Sequence, residues 1–221
     1  MQQQNSVLKA YGISAIFFNV IGVFLTFFFA SPAATASEIL KIVAFGDSLT
    51  AGYGLPQSAA FPVQLEKALQ KAGFHIRVEN AGVSGDTSTG GLQRLDWALA
   101  NGADLVLLEL GANDALRGIS PQITRQNLDT IIAKLKQKNI PILLTGMQAP
   151  PNMGADYKDE FDRIFPDLAA KYNLAFYPFF LDGVAAIPSL NQDDAIHPNR
   201  EGVAIIVQKM LPYLADLLKT N

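Results

Sequence analysis

The chain has 221 residues, 49% hydrophobic and 17% charged, with 17 basic against 20 acidic side chains and no cysteine. Its length and apolar share suit one folded domain with a short appendage, and the missing cysteine excludes disulfides, thiolate catalysis, zinc–sulfur centres and a lipid-modified cysteine anchor. A mildly acidic balance carries no electrostatic footprint for nucleic acid or anionic membranes.

The appendage comes first. Residues 1–12 hold one charge, Lys9, and residues 13–30 are apolar except for Ser14, Asn19, Gly22 and Thr26. Ser31-Pro32-Ala33-Ala34-Thr35-Ala36 follows, ending in a small-x-small site. A basic start, an apolar middle and a small-residue exit predict a secretory signal peptide over 1–36, cleaved to leave a single domain over 37–221. An uncleaved membrane anchor is the competing reading, because 18 residues nearly span a bilayer; the Pro-Ala exit favours cleavage. Losing Lys9 leaves 16 basic against 20 acidic residues, a net of −4. The expected place is a Gram-negative periplasm, with no stable membrane span after processing and a monomeric state.

Strand-like and helix-like patterns then alternate. Residues 39–45 read as a first strand. Phe61, Leu65, Ala68, Leu69 and Ala72 share one face of a helix, with Pro62 in its first turn and Gly73 past its end. Residues 76–81 give a second strand, and Leu92, Leu95 and Leu99 a second helix closed by Asn101-Gly102. The run 104–110 is apolar apart from its opening Asp104 and Glu109, as expected of a central strand covered on both faces. Leu128, Ile131, Ile132 and Leu135 mark a third helix, and residues 140–147 a fourth strand. Phe161, Ile164, Phe165, Leu168 and Tyr172 mark a fourth helix, 174–180 a fifth strand, and 199–219 the last helix. Five strands alternating with five helices predict an α/β three-layer sandwich, its five-stranded parallel sheet covered on both faces.

In such a sheet the ligand crevice lies at the carboxyl ends of the strands. The unusual polar clusters all fall there or on the loop before the last helix: Gly46-Asp47-Ser48, Ser84-Gly85-Asp86-Thr87, Gly111-Ala112-Asn113-Asp114 and Asp193-Asp194-Ala195-Ile196-His197-Pro198. Each has a plain reading alone. Ser48 and the Asp194–His197 pair would serve as helix caps, and Gly85 and Asn113 as turn residues. Together they supply the parts of acyl transfer. Serine needs a base within hydrogen-bond reach. Of the two histidines, His75 opens a strand at the far end of the sheet, whereas His197 has Asp194 three residues before it. A carboxylate there would fix the imidazole tautomer and stabilise the imidazolium; Asp193 is the less well-spaced choice. An oxyanion hole needs donors aimed at developing charge, which a Gly85 N–H and an Asn113 amide would supply.

In order and spacing, these four blocks resemble the SGNH (GDSL-type) hydrolases, and the likeness runs from about residue 40 to the end of the chain. Ala51-Gly52-Tyr53, Asn80-Ala81, Leu116-Arg117-Gly118 and His197-Pro198-Asn199 are similar to the branch of secreted bacterial thioesterase, lysophospholipase and arylesterase enzymes. The resemblance implies a flavodoxin-like fold. It implies Ser48 as nucleophile, His197 as base and Asp194 as its orienting acid, with the N–H groups of Ser48 and Gly85 and the Asn113 amide binding the oxyanion. No metal or cofactor is implied; the partner is a small acyl ester or thioester. The sequence departs at Ala112, where close relatives often carry a second glycine, a change that reshapes the neighbouring loop. Leu116, Arg117, Gly118 and Ile119 on one loop, and Pro150 on another, are the expected substrate-binding residues. In the resembled family the first loop shifts as an acyl chain binds, which implies medium-to-long chains. A carbohydrate O-acetylesterase on the same fold and a non-catalytic periplasmic binding module are the alternatives.

Overall fold

A computed structural model describes residues 39–220; the leader expected over 1–36 lies outside the described residues. The apolar runs become one sheet of parallel strands: β1 (Leu40–Gly46), β2 (Ile76–Gly82), β3 (Leu105–Leu108), β4 (Ile142–Thr145) and β5 (Ala175–Tyr177). Their order is β2-β1-β3-β4-β5. The chain steps from β1 outward to β2, then back across to β3, so the sheet opens its crevice between the ends of β1 and β3. Burial explains the sequence patterns. Residues 42–45 of β1 and all of β3 and β4 are buried, as continuous apolar runs require. The edge strand β2 alternates instead, with Ile76 and Val78 buried and Arg77 exposed.

Eight helices complete the described residues: α1 (Ser48–Ala51), α2 (Phe61–Lys71), α3 (Ser88–Ala98), α4 (Ala112–Leu116), α5 (Pro121–Gln137), α6 (Ala155–Asp162), α7 (Ile164–Tyr172) and α8 (Arg200–Thr220). The first outer layer is α2 packed on α8; the second packs α3 on α5 and α5 on α7. No described helix is long and apolar enough to cross a membrane.

Proline chemistry accounts for most departures from the sequence reading. The fourth strand begins at Ile142 rather than 140, because Pro141 has no N–H for the ladder, and the fifth ends at Tyr177 before Pro178. The helix expected across 161–172 divides at Arg163. Pro166 offers no N–H to the carbonyl of Asp162, and its ring crowds that carbonyl. The short helices α1 and α4 were not expected. At four and five residues they are too brief to leave a periodic pattern, yet both stand at the crevice.

Candidate active site

The β1 strand ends at a position that tolerates no side chain. A Cβ on Gly46 would lie 2.2 Å from the Thr50 hydroxyl and 2.4 Å from a Glu109 carboxylate oxygen. This close approach lets the chain turn directly into α1. Asp47 caps that helix, its Oδ1 accepting from the Leu49 N–H at 2.9 Å. Ser48 is therefore the first helical residue, and its own N–H is an orphan donor of the first turn. Beneath the turn, Glu109 is wholly buried, and its Oε2 accepts from the Asp47 N–H at 3.1 Å and the Thr50 hydroxyl at 2.8 Å.

The Ser48 hydroxyl donates to His197 Nε2 across 2.9 Å, and His197 Nδ1 donates to Asp194 Oδ2 across 2.7 Å. Asp194 has only acceptors, so the ring proton sits on Nδ1 and Nε2 is free to receive. Asp194 Oδ1 also takes the N–H groups of Ile196 and His197, each at 3.0 Å. The short path from Asp194 to His197 closes because Ala195 adopts a left-handed φ of +61°. It is Asp194, not Asp193, that meets the imidazole. Gln192 anchors the loop: its N–H donates to the His197 carbonyl at 2.8 Å, and its side-chain amide donates to the carbonyls of Tyr53 and Pro198. The Tyr53 ring lies against the imidazole, centroids 4.7 Å apart.

Two further loops complete the crevice. Gly85, at φ +83°, holds a conformation that L side chains rarely adopt. Asn113 lies on α4, which is tied down by the buried Asp114; its carboxylate accepts from the Ser88 N–H and hydroxyl and the Thr124 hydroxyl. The Asn113 amide donates one hydrogen to Asp47 Oδ2 at 3.0 Å, which leaves its second hydrogen uncommitted.

Of the three carboxyls of this site, two are raised by their surroundings and one is lowered. Burial pushes Asp47 up to about 6, against the pull of the Leu49 N–H, the Asn113 amide and the nearby His197. Burial, and then the neighbouring Asp47, push Glu109 well above the usual carboxylate range. Glu109 Oε1 has no hydrogen-bond partner, so a proton there costs nothing in lost contacts. Burial is the largest single influence on Asp194 as well, and it too raises the carboxyl. Hydrogen bonds from the His197 N–H, the His197 ring and the Ile196 N–H outweigh it and hold Asp194 below its ordinary value.

A cleft of about 470 Å³ opens above these groups. Ser48, Gly85, Asn113 and His197 line it together with the apolar side chains of Leu49, Leu116, Met147, Pro150, Phe179 and Leu181. Of the expected substrate-binding residues, Leu116 and Pro150 line the cleft, whereas Arg117, Gly118 and Ile119 are turned to other partners. Arg117 turns its guanidinium to the Gly85 carbonyl, 2.7 Å away. Gly118 approaches Met153, and the Ile119 carbonyl accepts from the Tyr157 hydroxyl at 2.7 Å. His75 is exposed at the opposite end of the sheet, where its carbonyl accepts from the Leu40 N–H. Sequence reasoning gave no role of their own to Asp47, Tyr53, Glu109 and Gln192. Glu109 left a signal, as an acid directly after the apolar run of β3. Among the described residues no three His, Cys, Asp or Glu side chains cluster as a metal site would need.

The model of the GDSL-like lipase/acylhydrolase family matches residues 44–205. The chain is 40% identical to esterase TesA of Pseudomonas aeruginosa, covering 83% of this chain and 90% of that protein. It is 41% identical to the thioesterase 1/protease 1/lysophospholipase L1 of Escherichia coli K12, covering 84% and 87%. Among solved structures, AlinE4, an SGNH-hydrolase family esterase, superposes with a TM-score of 0.70 at 49% identity, covering 82% of this chain and 97% of that one.

Proposed function

The chain belongs to the GDSL-like lipase/acylhydrolase family, and from that premise we propose that it is a serine hydrolase of carboxylic esters and thioesters. The observation that carries the reading is the unbroken relay from Asp194 through His197 to the Ser48 hydroxyl, at 2.7 and 2.9 Å, at the floor of an apolar cleft. Ser48 Oγ attacks the acyl carbonyl while its proton passes to His197 Nε2. Asp194 keeps the ring in the receptive tautomer and stabilises the imidazolium. Negative charge gathers on the former carbonyl oxygen, where the N–H groups of Ser48 and Gly85 and the free Asn113 hydrogen receive it. Collapse breaks the bond to the alcohol or thiol, which leaves with the proton from His197. Water, deprotonated by the same nitrogen, then hydrolyses the acyl-Ser48 ester.

The apolar lining supports an acyl chain rather than a sugar as the group seated in the cleft, and with it acyl esters, lysophospholipids and acyl thioesters over acetylated carbohydrates. Secretion to a periplasm, with removal of residues 1–36, belongs to the same reading. The test is hydrolysis of p-nitrophenyl acetate, butyrate, octanoate and palmitate by the protein and its Ser48→Ala variant. Serine-dependent rates that climb toward octanoate are expected, with a loss on the order of 10⁶ in kcat for Ser48→Ala. Serine-dependent activity restricted to acetate would turn the assignment to a deacetylase, and an equally active Ser48→Ala protein would end it.

A further inference from the structure

Ser48 and Gly85 stand on different segments, one leaving β1 and the other leaving β2. For their two N–H groups to meet one oxygen, something must hold the segments at a fixed separation. The β1–β2 ladder runs to the Gly46–Gly82 pair, and beyond it the Val83 N–H donates to the Gly46 carbonyl at 3.0 Å and the Asn80 amide to the Ala51 carbonyl at 3.2 Å. A single guanidinium adds the link that also reaches the Gly85 loop. Arg94, on α3, donates from Nη2 to the Gly46 carbonyl and from Nη1 to the Ala81 carbonyl, both at 2.8 Å. Its Nε donates to the Asp86 carboxylate, next in sequence to Gly85. The Arg94 and Asp86 side chains are only 15% and 16% exposed, and the guanidinium lies 4.2 Å over the centre of the Phe45 ring. Gly46 precedes the nucleophile by two residues, so one side chain grips the end of β1, the end of β2 and the Gly85 loop.

Chemistry explains why arginine occupies this place. A planar fork with fixed donors satisfies three acceptors in three directions, whereas a lysine ammonium is a point charge on a flexible stem. Its mount is firm as well, because α3 is capped by the Thr87 hydroxyl and buries Leu95 and Ala98.

We propose that Arg94 is a positioning residue that sets the separation of the Ser48 and Gly85 backbone donors and thereby the strength of oxyanion binding, without touching substrate. The role rests on the acyl-hydrolase reading above. Its effect is on the transition state, so it divides kcat from KM in a way that a loss of general stability does not.

The experiment compares the wild-type protein with Arg94→Lys, Arg94→Gln and Arg94→Ala on p-nitrophenyl butyrate. It records kcat, KM, unfolding temperature and the inhibition constant of an alkyl trifluoromethyl ketone, whose serine adduct carries an oxyanion. A displacement near 1 Å costs on the order of 10²-fold, so kcat should fall roughly 10- to 100-fold with KM within about threefold. The ketone should weaken by the same factor as kcat. Arg94→Lys should recover little of the loss, and guanidinium ion added to Arg94→Ala should restore part of it. Lys and Gln keep an aliphatic stem over Phe45, so they carry the test if the alanine variant does not fold. Folded variants with kcat within about twofold of wild type overturn the role, on the same scale of effects. A kcat loss that the ketone affinity does not follow, or that lysine fully repairs, overturns it too. Absence of serine-dependent turnover in the wild-type protein instead overturns the acyl-hydrolase reading, and the positioning role with it.

Discussion

The two halves of the site are built from opposite materials. The Ser48 half grows out of the sheet: β1 and β3 end in it, Asp47 and Glu109 are wholly buried, and long-range hydrogen bonds cross from Thr50 to Glu109 and from Asn113 to Asp47. The His197 half is a surface loop held largely by its own short-range bonds, from Gln192 to His197 and from Asp194 to the next two N–H groups beyond Ala195. Asp194 is exposed; Asp47 is not. The oxyanion side needs donors that do not reorganise as charge develops, and burial in the sheet provides that. The base must hand a proton back and forth, and it needs only a fixed tautomer and a reachable nucleophile. Rigidity is concentrated where charge develops.

This contrast predicts two kinds of variant. In the loop half, Asp194→Asn keeps an oxygen for the Ile196 and His197 N–H groups but presents an NH₂ to Nδ1, reversing the tautomer. The expected loss in kcat is about 10⁴-fold, with a stability cost of no more than about 1 kcal/mol, as for an exposed ion pair. Stopped-flow turnover beside urea unfolding checks both numbers. In the sheet half, Asn113→Ala removes one oxyanion donor and should cost roughly 10²–10³ in kcat. It also strips Asp47 Oδ2 of its partner in a buried place, so it should destabilise by about 1–3 kcal/mol. Finding the stability loss in Asp194→Asn instead of Asn113→Ala would break the comparison.

Legibility in the sequence follows the same division. The proposed triad and the proposed oxyanion glycine and asparagine stood out because each follows an apolar run or precedes a helix, in places where bare packing does not call for such polar residues. All five strands left an apolar signal: β-branched and leucine-rich in β1, β3 and β4, alternating in β2 and aromatic in β5. Residues that act through a third dimension left little trace. Arg94 sits inside an ordinary amphipathic helix, and only the fold reveals that its guanidinium meets Gly46, Ala81 and Asp86. Arg117 looked like a substrate contact because it follows Asn113 so closely, yet α4 carries it round to the Gly85 carbonyl. Sequence distance from a catalytic residue says little about direction once a helical turn intervenes.

The last expected effect, spread over several pH units, concerns acidity, and it separates the halves once more. Asp47 is raised from 3.8 to about 6 by burial, and Glu109 is raised further by burial and by Asp47. A raised carboxyl binds its proton more tightly in the folded protein, so its contribution to stability is full below about pH 4. Asp47's share is then lost as pH rises toward 6, a change worth about 3 kcal/mol at most. Glu109's share is lost at higher pH, and ionising it beside Asp47 is the less favourable of the two steps. Asp194 runs the other way: its lowered value gives stability that is present above the ordinary carboxylate range and lost as pH falls through its folded value. Urea midpoints at mildly acidic, neutral and mildly alkaline pH therefore should decline for the wild-type protein. Glu109→Gln keeps an acceptor for the Asp47 N–H and the Thr50 hydroxyl, removes the ionisation, and should make that decline shallower. Asp194→Asn should leave it untouched and soften only the loss on the acid side. A decline that persists unchanged in Glu109→Gln would mean the buried acid below Ser48 is not what couples this fold to pH.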